Sequence, residues 1–231
     1  MLMSFCLFVS YASGADPAAR ISPEDRARLV ERLRACRGFE RIHIYTPAAA
    51  HDPFLNDGAP PRLVLQFYFA RISDLELATA RTGPLQVLAS DFPSLNGAPI
   101  THEAMVVRRF AVPDPVVLRE PWCTYLVSYE GPAEDPPTWH EHYFAHHVPL
   151  MAKLTGIREL EVYTGLDCAH LLPGKRVRHL QRNKVAFDSP AALNASLQSA
   201  LRAEMRADYE RFPSFTGTVT HYPMATVALR P

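Results

Sequence analysis

The sequence predicts an α+β protein built from two successive βαββαβ units, and three observations carry that reading. Short apolar or alternating runs, Ser4 to Tyr11 and Trp122 to Tyr129 among them, have strand character and are interleaved with segments of helical periodicity. The order of these elements in the first half recurs in the second. The recurrence also reaches single residues. Val9-Ser10-Tyr11 matches Val127-Ser128-Tyr129, Tyr45-Thr46 matches Tyr163-Thr164 and Phe69 matches Phe187, each at an offset of 118. Phe92-Pro93-Ser94 matches Phe212-Pro213-Ser214 at 120, and Thr101-His102 matches Thr220-His221 at 119.

Taken in order, Ser4 to Tyr11 is the first strand. Met1 to Ala15 is also apolar enough to suggest a signal peptide, but it lacks a positive n-region and the repeat accounts for it better. Ser22 caps a helix with Pro23 at its first position, running to about Arg37-Gly38. Phe39 to Thr46 alternates as a second strand, His51 to Pro61 is a loop rich in turn residues, and Arg62 to Ala70 is a third strand. A helix from Ser73 to about Ala89, broken near Gly83-Pro84, leads to a strand over Ile100 to Val112. Val112-Pro-Asp-Pro-Val is a linker. The second half repeats the order: strand Trp122 to Tyr129, helix Thr138 to Thr155, strand Ile157 to Thr164, loop Gly165 to Arg178, strand His179 to Phe187, helix Ser189 to about Arg211, strand Thr218 to Leu229. The units are therefore 1–112 and 121–231. Each is ferredoxin-like, an antiparallel four-stranded sheet with helices on one face. The bare face of each sheet needs a cover. Two sheets in one chain can supply it to each other, closing a barrel-like core with the helices outside.

Composition narrows the function. At 231 residues and 48% hydrophobic content the chain can bury a large core. Lysine plus arginine and aspartate plus glutamate balance at 24 each, so nothing favours nucleic acid or an anionic membrane as partner. No apolar run reaches a membrane span. Cys6, Cys36, Cys123 and Cys168 are scattered, as in a reduced cytoplasmic protein.

The richest stretch is Thr138 to Gly156, which holds four of the ten histidines. At helical spacing Trp139, Tyr143, His147, Leu150 and Leu154 share one stripe, flanked by Phe144 and Met151. Thr138 reads as N-cap with Glu141 as its capping-box partner, Gly156 as the stop, and Pro149 as a bend that frees the Ala145 carbonyl. His147 thus points into apolar surroundings, where an imidazole is either a satisfied core group or a proton-transfer group.

These residues also carry a resemblance. His146-His147-Val-Pro-Leu, following Trp139, Tyr143 and Phe144 and preceding Leu154-Thr-Gly-Ile-Arg, resembles the EthD-type dimeric α/β-barrel signature. There a helix bears a His-x-Pro element and leads through a leucine-x-glycine-hydrophobic-arginine run into the next strand. The resemblance covers Trp122 to Leu229 and reaches the first half only through the repeat. It implies an intramolecular dimeric α/β barrel, one chain being the equivalent of a dimer and free to pair again as a homodimer. It implies a pocket between sheet and helices for a small apolar, aromatic or polyketide-like substrate, with His and Tyr groups moving protons and no cofactor. Relatives of this kind include cofactor-free cyclases, dehydratases, lactone isomerases and small monooxygenases. By position the helix histidine is His147. The offset of 118 puts Leu29 and Glu31 at the places of His147 and Pro149, so the first unit is expected to be structural.

His147, His221 and Tyr129 are the candidate catalytic residues. His147 would be the general acid/base. His221 is the second polar group, although His102 at the matching place argues for packing. Tyr129 could donate to a developing enolate, or pack as its counterpart Tyr11 would. Trp139, Tyr143, His146, Met151 and Tyr209 are candidate substrate contacts, with core packing as the plainer role for several. Asp208-Tyr209 is a further candidate wall. His142 and His146 have metal-pair spacing, yet no carboxylate ligand is identifiable and H-E-x-x-H is absent, so no metal is expected. The expected function is a cofactor-independent lyase or isomerase. A cofactor-free oxygenase on an electron-rich phenol and a non-catalytic apolar-ligand binder are the alternatives.

Overall fold

The computed structural model describes residues 4–50, 52, 55 and 57–230. The strands are β1 (Ser4–Tyr11), β2 (Arg41–Pro47), β3 (Leu63–Phe69), β4 (Ile100–Phe110), β5 (Trp122–Tyr129), β6 (Ile157–Gly165), the short β7 (Lys175–Arg176), β8 (Gln181–Phe187) and β9 (Val219–Leu229). The helices are α1 (Pro23–Ala35), α2 (Ile72–Thr79), α3 (Pro136–His142), α4 (Val148–Met151), α5 (Pro190–Leu197) and α6 (Ala200–Tyr209).

Eight strands close into an antiparallel barrel in the order β4-β1-β3-β2-β9-β5-β8-β6, with β6 returning to β4. The chain segments before and after the linker each contribute four neighbouring strands. They meet edge to edge, through β2 with β9 and β4 with β6, rather than face to face. β7 adds in parallel to β4 within the loop that follows β6. Closure explains why β3 is buried at all seven positions. One of its faces meets helices and the other meets the lumen, so it reads as continuously apolar instead of alternating.

The lumen is filled by Cys6, Phe8, Tyr45, Tyr68, Tyr163 and Met224 among others, and also by charge. Lys184 is fully buried, with Nζ 3.2 Å from Glu161, 3.1 Å from Glu159 and 2.9 Å from the Tyr68 hydroxyl. Glu161 accepts from Tyr68 at 2.6 Å, Tyr163 at 2.7 Å and Arg109 at 2.9 Å. Burial alone would push the Glu161 carboxyl up. Lys184, Arg41 and the two phenols outweigh it and hold the group well below the usual carboxylate range. Outside the barrel lie two helix-side cores. One is centred on Leu7, Leu29, Leu65 and Leu75, the other on Tyr129, Trp139, Tyr143 and Leu193.

Several element boundaries differ from the sequence reading. α1 is capped as expected, Ser22 Oγ accepting from the Asp25 amide at 3.1 Å. α2 stops at Thr79 and the chain restarts as a 3₁₀ turn at Pro84–Ala89. Gly83 is required there, since a Cβ would lie 2.4 Å from the Ala78 carbonyl oxygen. The helix expected over Ser189 to Arg211 is two helices, α5 and α6, because Ser199 is extended between them. The helix bearing His147 begins earlier than read. Asp135 is its N-cap, taking the Thr138 amide at 3.4 Å and hydroxyl at 2.6 Å, with Pro136 next in line. The Thr138–Glu141 capping box is thus not the one in use.

Candidate active site

The site starts from one helical irregularity. Between α3 and α4, Tyr143–His147 forms a π turn, closed by the Val148 amide reaching back to the Tyr143 carbonyl. Pro149 has no N–H to give to Ala145, and widening the preceding turn by one residue removes the clash of its ring with that turn. The extra residue shifts the buried stripe. Tyr143 and His147 stay inside, but Met151 follows them and Leu150 is only half-buried. α4 then ends in a turn whose Gly156, at φ +78°, is the expected stop.

His147 is 6% exposed and faces a pocket of about 900 Å³, counted with its open mouth, between the sheet and helices of the second half. Its Nδ1 lies 2.8 Å from Asp208 Oδ2 on α6, and the other oxygen of Asp208 lies 3.3 Å from His142 Nε2. Burial lowers the His147 pKa; Asp208 works against that, while Arg202 and His221 add to it. The ring is therefore neutral at pH 7. Asp208 fixes the tautomer with the proton on Nδ1, leaving the Nε2 lone pair without a protein partner among the described residues. The Phe212 ring packs edge-on against the imidazole at 5.1 Å.

Strand alternation supplies the floor. Tyr125, Val127 and Tyr129 of β5, Asn183 and Val185 of β8, and Val219 and His221 of β9 all point to this side. Asn183 donates to the Tyr143 hydroxyl at 2.7 Å, and its buried Oδ1 has no partner among the described residues. Met151, Leu154, Leu193, Leu197 and Met205 line the helix side. Burial pushes the hydroxyls of Tyr125, Tyr129 and Tyr209 up, so all three are neutral donors at pH 7.

Of the residues picked from sequence, His147, His221, Tyr129, Met151 and Tyr209 meet in this pocket. Trp139 and Tyr143 do not line it. Both are fully buried behind it, stacked at 5.2 Å and sealed by the edges of Tyr129 at 5.2 and 5.6 Å. They are supports rather than contacts. His146 is exposed and lies outside the lining, since one helical step from His147 turns it to solvent. It sits 4.7 Å from the His142 ring. Among the described residues no group of three His, Cys, Asp or Glu side chains could hold a metal ion.

The first half also enters the site, beyond the scaffold role expected of it. Its β2–β3 loop places Leu55 in the lining. Asp52 of that loop accepts from the Tyr125 hydroxyl at 2.9 Å and from Arg202 at 2.9 and 3.1 Å. Asp57 Oδ2 takes the His221 amide at 2.7 Å and lies 2.9 Å from His221 Nδ1. Asp52, Asp57, Asn183 and Tyr125 were not picked from sequence, and Asp208 was read only as wall. Tyr125 could have been found from the period of two that places it beside Tyr129. The contact of Asp57 with a residue 164 positions away has no sequence signal.

No protein-family model matches the chain, and no curated protein matches it. Solved structures do. An anthrone oxidase-like protein aligns over 100% of this chain and 94% of its own, with 14% identity and a TM-score of 0.61. A candidate monooxygenase from Fusobacterium nucleatum subsp. nucleatum aligns over 99% and 94%, at 8% identity and a TM-score of 0.61. An ethyl tert-butyl ether D (EthD) family protein from Bacillus halodurans matches 43% of this chain and 96% of its own, at 22% identity and a TM-score of 0.34. At such identities the two full-length likenesses establish a shared fold, the α+β barrel with external helices. Among the described residues no helix is long and apolar enough to cross a membrane.

Proposed function

We propose that the protein is a cofactor-independent lyase or isomerase acting on a small aromatic or polyketide-like carbonyl compound. The observation that carries this is the His147–Asp208 pair: a neutral imidazole, oriented by a carboxylate, with its free nitrogen at an apolar pocket. His147 Nε2 removes a proton from a carbon next to a carbonyl or from a phenol, and the resulting imidazolium is stabilised by Asp208. In this reading the Tyr129 hydroxyl donates to a substrate oxygen and Asn183 Oδ1 accepts from a substrate hydroxyl. Hydrophobic walls keep water from competing for the proton.

A second reading is a cofactor-free oxygenase on an electron-rich phenol, in which the same deprotonation prepares the substrate for oxygen. The names of the full-length structural neighbours favour it. Anthrone, whose methylene is acidified by its carbonyl, separates the two. On both readings the methylene hydrogens exchange for deuterium under argon, but a lyase or isomerase goes no further in air. An enzyme that consumes anthrone only in air, with oxygen uptake, rejects the first reading and supports the second. Retained ligand binding and no activity loss in His147→Ala would reject both in favour of a binding protein.

We read the chain as a tandem duplication acting as its own dimer, with units 1–112 and 121–231. Matching registers support it: Val9 pairs Leu65 in the first half as Val127 pairs Asn183 in the second. The cytoplasm is the compartment we propose, on the unpaired state of the four cysteines.

A further inference from the structure

His147 is not the pocket's only imidazole with a carboxylate behind it. His221 lies on β9 with Nδ1 2.9 Å from Asp57 Oδ2, and the same oxygen accepts the His221 amide at 2.7 Å. One carboxylate oxygen thus holds both the ring and its strand. The Tyr222 hydroxyl donates to the Asp57 carbonyl at 3.3 Å and ties the loop down from the adjacent position. The Tyr125 ring packs against the His221 ring at 5.6 Å, and Tyr125 is in turn anchored by Asp52. The arrangement leaves Nε2 of His221 as the nitrogen available to the pocket it lines. Its counterpart His102 packs edge-on to the His170 ring at 4.9 Å, with no carboxylate at Nδ1 among the described residues. The second dyad is therefore peculiar to the hollow half.

We propose that His221 and Asp57 are the acid partner of His147 and Asp208, so that the pocket moves a proton between two atoms of one carbonyl substrate. The proposal rests on the reading of His147 as base. His147 Nε2 takes a proton from the carbon next to the carbonyl or, in anthrone, from the methylene conjugated with the carbonyl through the rings. The C–H electron pair becomes a C=C bond of the enolate, the intervening double bonds shift where there are any, and the carbonyl pair moves to oxygen. In its imidazolium form, with Asp57 holding the Nδ1 proton, His221 gives the Nε2 proton to that oxygen and becomes the neutral Nδ1–H ring, and the substrate leaves as the enol with no change of redox state. In a substrate with a hydroxyl one carbon further along, the same proton goes to that hydroxyl. The C–O bond then breaks and water leaves. The substrate class is an enolisable ketone with its oxygen on the His221 side. His221 is a catalytic residue in this scheme. Asp57, reaching over from the other half, is a positioning residue that acts through it.

The test uses the full chain and anthrone under argon in deuterium oxide, reading methylene exchange. We expect His147→Ala to lose about 10²–10⁴-fold and His221→Ala about 10²-fold, with partial rescue by added imidazole. Asp57→Asn should cost about tenfold alone and nothing further in the His221→Ala background, because the two act as one unit. Nitrogen-15 spectra of the histidines should show the neutral form of His221, the one left after it gives up its Nε2 proton, keeping its proton on Nδ1 in the wild type, and that preference lost in Asp57→Asn. Wild-type exchange that needs His147 but not His221 overturns this proposal alone. So do losses from Asp57→Asn and His221→Ala that multiply, or an unchanged His221 tautomer in Asp57→Asn. No exchange above background in the wild type overturns the base assignment, and this proposal with it.

Discussion

Across the ladder of β1 and β3, Val9 faces Leu65 and Tyr11 faces Leu63; across β5 and β8, Val127 faces Asn183 and Tyr129 faces Gln181 in the same register. The strands are paired alike, yet the first half presents leucine to its helices where the second presents amides. The same holds one layer out, where Leu29 of α1 is fully buried and His147 takes the corresponding place. Tyr11 donates its hydroxyl to the Leu88 carbonyl at 3.5 Å beside a shallower groove of its own, whereas Tyr129 lines the His147 pocket. A handful of side chains therefore separates an apolar layer from a polar, hollow one on matching strand frames. The hollow layer carries the cost, because among the described residues the buried Asn183 Oδ1 has no partner.

Substitutions that swap the halves test this directly. The largest effect belongs to His147→Leu, which makes the second half resemble the first. Exchange of anthrone should fall by about 10²–10⁴-fold, and the melting temperature should fall as well, because buried Asp208 loses its Nδ1 donor. Leu65→Asn does the reverse in the first half and puts an amide among apolar core side chains. It should cost about 2–4 kcal/mol, read as a lower denaturation midpoint with unchanged slope. Asn183→Leu should change stability by no more than about 1 kcal/mol, since the Tyr143 hydroxyl loses a donor while an orphaned oxygen disappears, yet it should raise KM. Equal costs for the two asparagine–leucine exchanges would break the comparison.

The smallest effect is with pH. His43, His102, His140, His147 and His170 all have pKa values lowered first of all by burial, His170 to about 4. In the unfolded chain each returns to about 6.5 and binds a proton more readily. The stability they contribute is whole above that value and is lost as pH falls through the lowered folded values. Thermal melts should thus be level above about pH 7 and drop between 6.5 and 4. His147→Leu should make that drop shallower by one imidazole.

How far the chain could be read in advance follows from the range of each interaction. Strands and most helices are local, so the alternation of Phe39 to Thr46 or the Ser22-Pro23 start reveals them. His147 was legible because its stripe is local too. The N-cap was misplaced because Thr138 and Asp135 both suit the role, although Pro136 directly after Asp135 repeats the Ser22-Pro23 signal and favours the earlier start. The π turn was foreshadowed by Pro149 as a bend, but not the resulting exchange of Leu150 for Met151. The Lys184–Glu161 cluster was invisible, since both residues look like the outward positions of half-exposed strands until the barrel closes around them. Asp52 and Asp57 sit in a loop that says nothing of the distant strands and helix it touches.

Closure of the ring has one more effect. Each of the eight barrel strands has a neighbour on both sides, so no backbone edge is left there to recruit an extended segment from another molecule. Any pairing of two such chains has to be made by side chains of the outer helices and loops, and it could be abolished by surface charge without touching the sheet.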